Sequence, residues 1–449
     1  MPSILITQCL QRDFIDPILP HEPLPNLLHV GHAESLRLLG HDPFSGPIAQ
    51  LMSWARAQSA DALDIIHIRD WHDKDDPRQR DHLKQFGEHC IGGTPGAQLI
   101  LDLDAELGKR PNECAVDSIA LNDFQDTKLA EKLDSIRART VVGASRPHPP
   151  LAESAQTSGA MGPGRPHDVP LRIGVVGVWT EAKVSFLLYD LKTRYGVHEI
   201  ATCSALTASA SRAQHFNALE QLSRILGVRV FDTVGEFATW LKPGSTSLLP
   251  VATKKFGHHV AVKGASAAAP PLSAEDHDIV GYLFRDSSSV TLEPLSGGFS
   301  GALVFRATSQ DALQHQQAPS VVKLGPSKLI GAERVAFERV EQILGNNAPS
   351  VRGFAELGPR AGIKYSFAAM GQGKVRSLKS LFEHNRPVEQ LETVIRSVFG
   401  DVLRPFYSAA RYDRLPLLEH YRFSPEFAPG VRKNVHAIVA DRAGDDRLE

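Results

Sequence analysis

Four residues with side chains able to bind a metal lie close together in the chain, at Asp70, His72, His82 and His89. They follow LDIIHI, an apolar run typical of a buried parallel strand, and side chains at the carboxyl end of such a strand face a ligand-binding crevice. Imidazole and carboxylate groups are accepted by Zn, Fe and Mn, so the sequence predicts a divalent metal site. The alternative is a polar loop whose histidines face water, because no tight His-x-His pair fixes the geometry.

A second candidate is Lys183 in GVVGVWTEAKVSF, which is typical of a buried strand, a tight turn and the start of a helix. A turn of this kind commonly presents a reactive side chain, and here it presents an amine. The alternative is an ordinary solvated lysine on a helix.

A third candidate lies in the last third of the chain, where LSGGFSGALVF predicts a glycine turn between two strands and VVKLG places Lys323 on the next strand. Glycines let backbone amides approach phosphate oxygens, and a strand lysine can reach between phosphates and a helix glutamate, either Glu333 or Glu338. This pattern predicts ATP and Mg²⁺ binding, and the alternative is a plain hairpin with a surface lysine. The glycines concerned are Gly297, Gly298 and Gly301.

Alternating strands and helices over the first 260 residues or so predict an α/β domain with a doubly wound parallel sheet. The predicted strands are ILIT near residue 4 and residues 63–68, 139–144, 172–178 and 197–202. The predicted helices cover residues 48–58, 127–138, 183–195 and 217–227.

After this domain the pattern changes to strand, glycine turn, strand, strand and helix, which predicts a smaller α+β domain. We expect a first domain over residues 1–262 with a Pro/Gly-rich loop insertion at 145–170, a linker at 263–285, and a second domain at 286–449.

The amino-acid composition gives no support for nucleic-acid or membrane partners. The 49 basic and 51 acidic residues give a net charge of -2, which offers no broad field for nucleic acid or an anionic membrane. Four scattered cysteines and the lack of a signal-like amino terminus favour the cytoplasm.

Several motifs make the first domain similar to the isochorismatase-like cysteine hydrolases, the family that includes nicotinamidases. They are LITQCLQRDFIDP, RDWH, EHCIGGTPGAQL, NDFQDTKLAEKL, GVVGVWTEAKV and HFNALEQLSRILGVRV. The resemblance implies that Asp70 and the three histidines bind a metal that holds a small ligand. It also implies a cis peptide at Val178–Trp179.

The resemblance further implies a catalytic aspartate, lysine and cysteine, and all three positions differ in this chain. Cys9 replaces the aspartate, Ser118 the lysine and Lys183 the cysteine. Loss of base, clamp and nucleophile together predicts an inactive hydrolase. The alternative is a relocated nucleophile, in which Lys183 lowers the pKa of Cys9, against the usual behaviour of a buried, inert cysteine.

The second domain resembles the amino-terminal lobe of protein kinases and aminoglycoside phosphotransferases, and less distinctly the kinase-like domains associated with bacterial conflict systems. Residues 345–449 contain no H-R-D or D-F-G motif, so we expect the catalytic lobe to be absent or truncated.

Together these patterns predict a regulatory, sensing or scaffolding protein that binds a protein partner through the kinase-like domain. Related hydrolases often associate, which favours a homo-oligomer. Two alternatives stay open at this point: an active cysteine hydrolase using Cys9, and part of an ATP-dependent kinase.

Overall fold

The computed structural model describes residues 1–40, 46–144, 169–244, 261–264, 271–295, 302–345, 348–366, 378–383 and 387–408. The chain forms two compact units, Met1–Arg376 and Ser377–Glu449, and the first unit contains both sheets. The predicted loop insertion lies outside the described residues except at positions 169 and 170.

A six-stranded parallel sheet forms the centre of the first domain, in the order β3-β2-β1-β4-β5-β6. Its strands are β1 (Ser3–Gln8), β2 (Asp64–Asp70), β3 (Glu113–Ser118), β4 (Arg172–Val178), β5 (Glu199–Ala208) and β6 (Arg229–Phe231). The chain runs outward from β1 in both directions, so a crevice is expected where β1, β2 and β4 end. The predicted doubly wound α/β class is confirmed.

Helices cover both faces of this sheet because alternate residues of the central strands point to opposite sides. Leu5 belongs to one apolar cluster, while Ile4 and Ile6 belong to the other. The helices are α1 (Arg12–Ile15), α2 (His32–Leu39), α3 (Pro47–Ala57), α4 (Arg80–Phe86), α5 (Leu103–Glu106), α6 (Leu129–Ala144), α7 (Ser185–Thr193), α8 (Arg212–Arg224) and α9 (Val234–Leu241). Short 3₁₀ helices cover Pro77–Gln79, Pro95–Ala97 and Ile100–Asp102, and a π-helix covers Thr180–Val184.

The predicted strand at residues 139–144 is wrong, since these residues form the end of α6. A helix already started at Leu129 adds residues at little cost, and this outweighs the weak strand preference of two valines. The third strand is instead β3, which the sequence analysis missed. It lies at the edge of the sheet and is only partly buried, so it lacks the continuous apolar run of a central strand.

A second six-stranded sheet follows, in the order β11-β12-β10-β9-β8-β7, with all neighbours antiparallel except β7 and β8. Its strands are β7 (Ala261–Gly264), β8 (Ser289–Pro294), β9 (Leu303–Gln310), β10 (Ser320–Pro326), β11 (Val351–Leu357) and β12 (Arg360–Ser366). The long helix α11 (Ser327–Leu344) packs on this sheet. The predicted smaller α+β domain is therefore present, and we call it the lobe.

The predicted linker at residues 263–285 contains a helix, α10 (Ala274–Leu283), which packs on β11 and β12. Ser273 and Asp276 form a reciprocal capping box at its amino terminus, and Ile279 and Val280 are fully buried. The Ser-x-x-Asp signal in PLSAEDHD indicates this helix, but the neighbouring prolines and alanines favoured a linker.

The second unit contains α12 (Leu378–Glu383), α13 (Val388–Arg396), a π-helix at Ser397–Val402 and α14 (Arg404–Ser408). Large apolar side chains on this unit are exposed, including Phe382, Val388 and Phe399. Among the helices that the structure describes, none combines the length and apolar character needed to cross a bilayer.

Candidate functional site

The three positions that depart from the hydrolase pattern meet at the carboxyl ends of the central strands. Cys9 follows β1, Ser118 ends β3 beside Asp70 at the end of β2, and Lys183 projects from the π-helix after β4. A cis peptide at Val178–Trp179 precedes this π-helix, as predicted. The side chains that the sequence placed in one pocket are therefore neighbours in space.

Lys183 occupies the centre of this pocket, and its side chain is only 7% exposed. Its ammonium group lies 2.5 Å from Asp70 Oδ1 and 2.9 Å from Asp123 Oδ1. It also donates hydrogen bonds to Ser118 Oγ at 3.1 Å and to the Ala120 carbonyl at 2.9 Å. The alternative of Lys183 as a solvated helix residue is wrong, since the helix start points the side chain inward.

The two nearest charges hold Lys183 in its protonated form. Burial acts to lower the pKa of Lys183, but the carboxylates of Asp123 and Asp70 outweigh burial and raise that pKa well above its ordinary value. Burial acts to raise the pKa of Asp70, but the Lys183 ammonium and the nearby His72 ring hold that pKa well below its ordinary value. An ionised lysine and an ionised aspartate thus neutralise each other in the pocket.

Asp123 is a member of this site that the sequence analysis missed. Its side chain is completely buried, and burial raises the pKa of this carboxyl group despite the nearby Lys183. The signal was available in the NDFQDT motif, where Asp123 directly follows Asn122 in the loop after β3.

Cys9 lies beside the same aspartate but is not set up as a nucleophile. Its Sγ accepts a hydrogen bond from Gln8 Nε2 at 3.2 Å and lies 3.6 Å from Asp70 Oδ1. Burial raises the pKa of the Cys9 thiol well above its ordinary value, and the Asp70 carboxylate raises it further, while Lys183 opposes both only in part. The geometry therefore favours a neutral thiol.

Three histidines form a cluster on the other side of Asp70. The candidate ligand atoms of His72, His82 and His89 all lie within 4.8 Å of one another. Asp70 Oδ2 lies 3.8 Å from His72 Nε2 and 3.9 Å from His89 Nε2, so this carboxylate stands between the histidines and Lys183. The alternative of water-facing histidines is wrong for His72 and His89, which are buried.

The unpaired nitrogen atoms of this cluster fit a metal ion. Among the described residues, the Nε2 atoms of all three histidines are buried and have no hydrogen-bond partner. Nδ1 of His72 lies 2.8 Å from Gln79 Oε1, and Nδ1 of His89 lies 2.8 Å from the Gly87 carbonyl, which leaves each Nε2 lone pair directed inward. Burial lowers the pKa of His82 to about 4, so this imidazole is neutral near pH 7. Three imidazoles with inward-facing Nε2 atoms are a donor set that Zn, Fe or Mn accepts.

The lobe contains a second lysine and carboxylate pair. Lys323 on β10 lies 2.5 Å from Glu333 Oε2 on α11, while Tyr365 on β12 donates a hydrogen bond to Glu333 Oε1 at 2.8 Å. Glu338, the other glutamate considered, does not contact Lys323 and instead pairs with Arg212 at 2.7 Å. Gly297, Gly298 and Gly301 lie outside the described residues.

Solved structures that are similar to the first half of the chain are isochorismatase-like hydrolases. An isochorismatase-like hydrolase from Alkaliphilus metalliredigens is 20% identical, and the match covers 53% of this chain and 97% of that one with a TM-score of 0.36. A pyrazinamidase/nicotinamidase from Streptococcus mutans is 21% identical over 51% of this chain and 99% of that one, with a TM-score of 0.37. A pyrazinamidase of Pyrococcus horikoshii in complex with zinc is 18% identical over 51% and 98%, with a TM-score of 0.33.

The last third of the chain is similar to a different family. Residues 287–448 match the model of Ternary complex associated domain 9. The match includes β8 to β12 and α11 of the lobe and the described helices of the second unit, but not β7 or α10. No curated protein matches the chain.

Proposed function

We propose that the first domain is a catalytically inactive relative of the isochorismatase-like hydrolases, which binds a small ligand without converting it. Joined to the lobe, it acts as a regulatory, sensing or scaffolding protein in a bacterial signalling or defence system. The observation that carries this proposal is the Lys183 ammonium, which lies within 3.1 Å of Asp70, Asp123, Ser118 and Ala120.

This arrangement opposes hydrolysis for two reasons. An ammonium group that is held protonated by two carboxylates has no lone pair with which to attack a substrate. Asp70 accepts a hydrogen bond from Lys183 and lies beside a neutral Cys9 thiol. The centre of the pocket therefore contains no charged nucleophile and no free base. A relocated Cys9 nucleophile is disfavoured because the pKa of its thiol is raised rather than lowered.

We further propose that His72, His82 and His89 hold a divalent metal, with the carboxylate of Asp70 next to the site. A bound metal would supply a Lewis-acid position for a lone pair of the small ligand. Gln79 and the Gly87 carbonyl keep the Nε2 atoms of His72 and His89 in place, and Lys183 balances the charge of Asp70. Elemental analysis of untagged protein is expected to find one metal ion per chain, and its absence from a His82→Ala variant is the control.

Hydrolysis assays test the loss of activity. We expect no release of ammonia from nicotinamide or related amides, and no cleavage of vinyl ethers such as isochorismate, with or without Zn²⁺, Fe²⁺ or Mn²⁺. Turnover that disappears in a Cys9→Ser variant would refute the proposal in favour of the relocated nucleophile. Iodoacetamide gives a second test, because folded protein should leave Cys9 unmodified at pH 7 while the partly exposed Cys114 reacts faster.

A second function is favoured by the ion pair between Lys323 and Glu333. In kinase-like folds a strand lysine paired with a helix glutamate positions the phosphates of ATP. We propose that the lobe binds Mg·ATP without transferring phosphate. Isothermal titration calorimetry should give an affinity that falls at least about tenfold in Lys323→Ala, while Lys328→Ala, which removes a lysine that is 84% exposed, should change nothing. Equal binding by both variants would refute the nucleotide site.

Finally, we propose that the part of the chain after residue 287 binds a protein partner in the cytoplasm. The description of the matching family as associated with a ternary complex supports this, as do the exposed apolar side chains of the second unit. The four cysteines are free of disulfides, which agrees with a reducing compartment. A partner isolated from the native host should be lost when Phe399 is replaced by aspartate.

A further inference from the structure

Helix α11 packs on two domains, with one face on the first domain and the other on the sheet of the lobe. Residues at spacings of three and four along one face contact the first domain, and they are Gly331, Arg334, Val335, Glu338 and Arg339. The opposite face, with Ile330, Glu333 and Phe337, packs on the sheet of the lobe. Such a two-sided helix transmits a change at one face to the other.

The contact between α11 and the first domain is close and partly apolar. Val335 is buried in the same apolar cluster as the core residues behind the parallel sheet. A Cβ atom added at Gly331 would lie 2.1 Å from Thr233 Cγ2, so only glycine allows this approach to the start of α9. The helix therefore cannot shift along the first domain without separating well-packed surfaces.

Buried charges fix the register of this contact. Arg212 on α8 forms ion pairs with Glu338 on α11 at 2.7 Å and with Glu34 on α2 at 3.0 Å. Arg334 on α11 donates hydrogen bonds to Ser204 Oγ at 3.1 Å and to the Asp232 carbonyl at 2.8 Å. Because Arg334 is 3% exposed, a displaced α11 would leave a buried guanidinium without these partners.

Glu333 lies next to Arg334 on the same helix, so these charges also set its position. Glu333 reaches Lys323 at 2.5 Å with α11 in its docked position, and Tyr365 on β12 is its other partner. The sheet of the lobe has an anchor of its own, since Glu356 on β11 accepts hydrogen bonds from the backbone N–H groups of Val234 and Gly235. The helix and the sheet are thus attached to the first domain by separate contacts.

Helix α8 extends the connection to the pocket of the first domain. Thr180, which begins the π-helix that carries Lys183, lies 2.9 Å from His215 Nδ1 on α8 through its hydroxyl oxygen. His215 is one turn from Arg212 on that helix. The pocket and the ion pair of the lobe are consequently joined by α8 and α11.

We propose that the first domain holds α11 in the position in which Glu333 pairs with Lys323, and that this pair is lost when the contact between α8 and α11 is broken. The proposal rests in part on the proposed nucleotide site, because Mg·ATP binding is then coupled to the same contact. By reciprocity, nucleotide binding stabilises the contact between the domains.

The experiment compares full-length variants in two readouts. Arg212→Ala and the conservative Glu338→Gln break the contact, and Glu333→Gln breaks the pair directly. Arg224→Ala is the matched control, since Arg224 lies on α8 as well but pairs with Glu220 within that helix. Circular dichroism selects variants that remain folded, and Glu338→Gln serves if Arg212→Ala does not fold.

The first readout is the rate at which acetic anhydride modifies Lys323, measured by mass spectrometry without nucleotide. We expect the rate to rise roughly fivefold or more in Arg212→Ala, Glu338→Gln and Glu333→Gln, and to stay unchanged in Arg224→Ala. Wild-type rates in Arg212→Ala and Glu338→Gln would overturn the proposal. An unchanged rate in Glu333→Gln would overturn it too, because the pair would then not be what protects Lys323.

The second readout is Mg·ATP affinity, which should fall by a similar factor in the same variants. Absence of binding by wild-type protein would refute the nucleotide site, and modification of Lys323 would still decide whether α11 depends on the first domain. Normal ATP affinity in Arg212→Ala, despite faster modification of Lys323, would refute the coupling to nucleotide.

Discussion

Two lysine and carboxylate pairs of this chain have the same length and different surroundings. Lys183 and Asp70 are 2.5 Å apart with side chains 7% and 5% exposed, and the lysine has three further partners. Lys323 and Glu333 are also 2.5 Å apart, but they are 18% and 21% exposed. Within the described segments, Glu333 is the one carboxylate that pairs with Lys323.

The difference bears on what each lysine can do. A buried ammonium surrounded by fixed acceptors is expensive to separate from them, so Lys183 stabilises its pocket and leaves no donor for a ligand. A partly exposed pair loses little when it opens, since water replaces the lost contact. Lys323 can therefore exchange or share Glu333 with a phosphate, whereas Lys183 cannot leave Asp70 and Asp123.

The largest effect is expected from replacing Lys183 with methionine. This change keeps most of the volume but leaves the buried Asp70 without its ammonium partner, and should cost about 3–5 kcal/mol of unfolding free energy. Urea unfolding followed by tryptophan fluorescence measures it. The control is Lys328→Met, which removes a side chain that is 84% exposed and should change stability by less than about 0.5 kcal/mol. Equal stability of both variants would show that the Lys183 cluster contributes nothing.

A carboxylate buried without a lysine gives the second prediction. Glu356 is 3% exposed, and burial raises its pKa to about 7. Hydrogen bonds from the N–H groups of Gly235 and Val234 and the charge of Arg334 act to lower this pKa, while the charge of Glu236 raises it further. An unfolded glutamate ionises near pH 4.5, so native Glu356 binds its proton more tightly, and wild-type stability falls as pH rises from about 4.5 to about 7.

Glu356→Gln should remove this loss because glutamine does not ionise. The variant should gain about 2–3 kcal/mol on wild type between pH 4.5 and pH 8, measured by urea unfolding at several pH values. Glu293→Gln, at an exposed position of the same lobe, is the control. Parallel pH curves for wild type and Glu356→Gln would mean that Glu356 is ionised throughout.

The alternating pattern predicted the parallel sheet, because buried strands and amphipathic helices are local signals. The meeting of Cys9, Ser118 and Lys183 was implied by the resemblance to the hydrolases. The sequence did not predict β3, because an edge strand needs less apolar surface than a central one. It also did not predict the helix at residues 139–144, where extension of α6 outweighs the local preference for a strand. Local pattern thus determined the buried central strands and failed for an edge strand and for the end of a helix.

The sequence also did not predict contacts between residues that are far apart in the chain. Arg212 and Glu338 are 126 positions apart; Arg212 lies in no motif, and Glu338 was considered only as a partner of Lys323. Asp123 joins the Lys183 cluster from a loop, where no periodicity indicates which way a side chain points. Both contacts depend on how the finished elements pack, which the periodicity of a single sequence does not indicate.

The smallest effect on stability is expected at the second lysine. Lys323→Met should lower the unfolding free energy by about 1 kcal/mol or less, because its pair is partly exposed and Glu333 keeps the hydrogen bond from Tyr365. The same urea titration used for Lys183→Met measures it, with Glu333→Gln as the reciprocal change. A loss of about 3 kcal/mol or more in Lys323→Met would place this pair with the buried Lys183 cluster. It would then be a structural ion pair that cannot open to admit a phosphate.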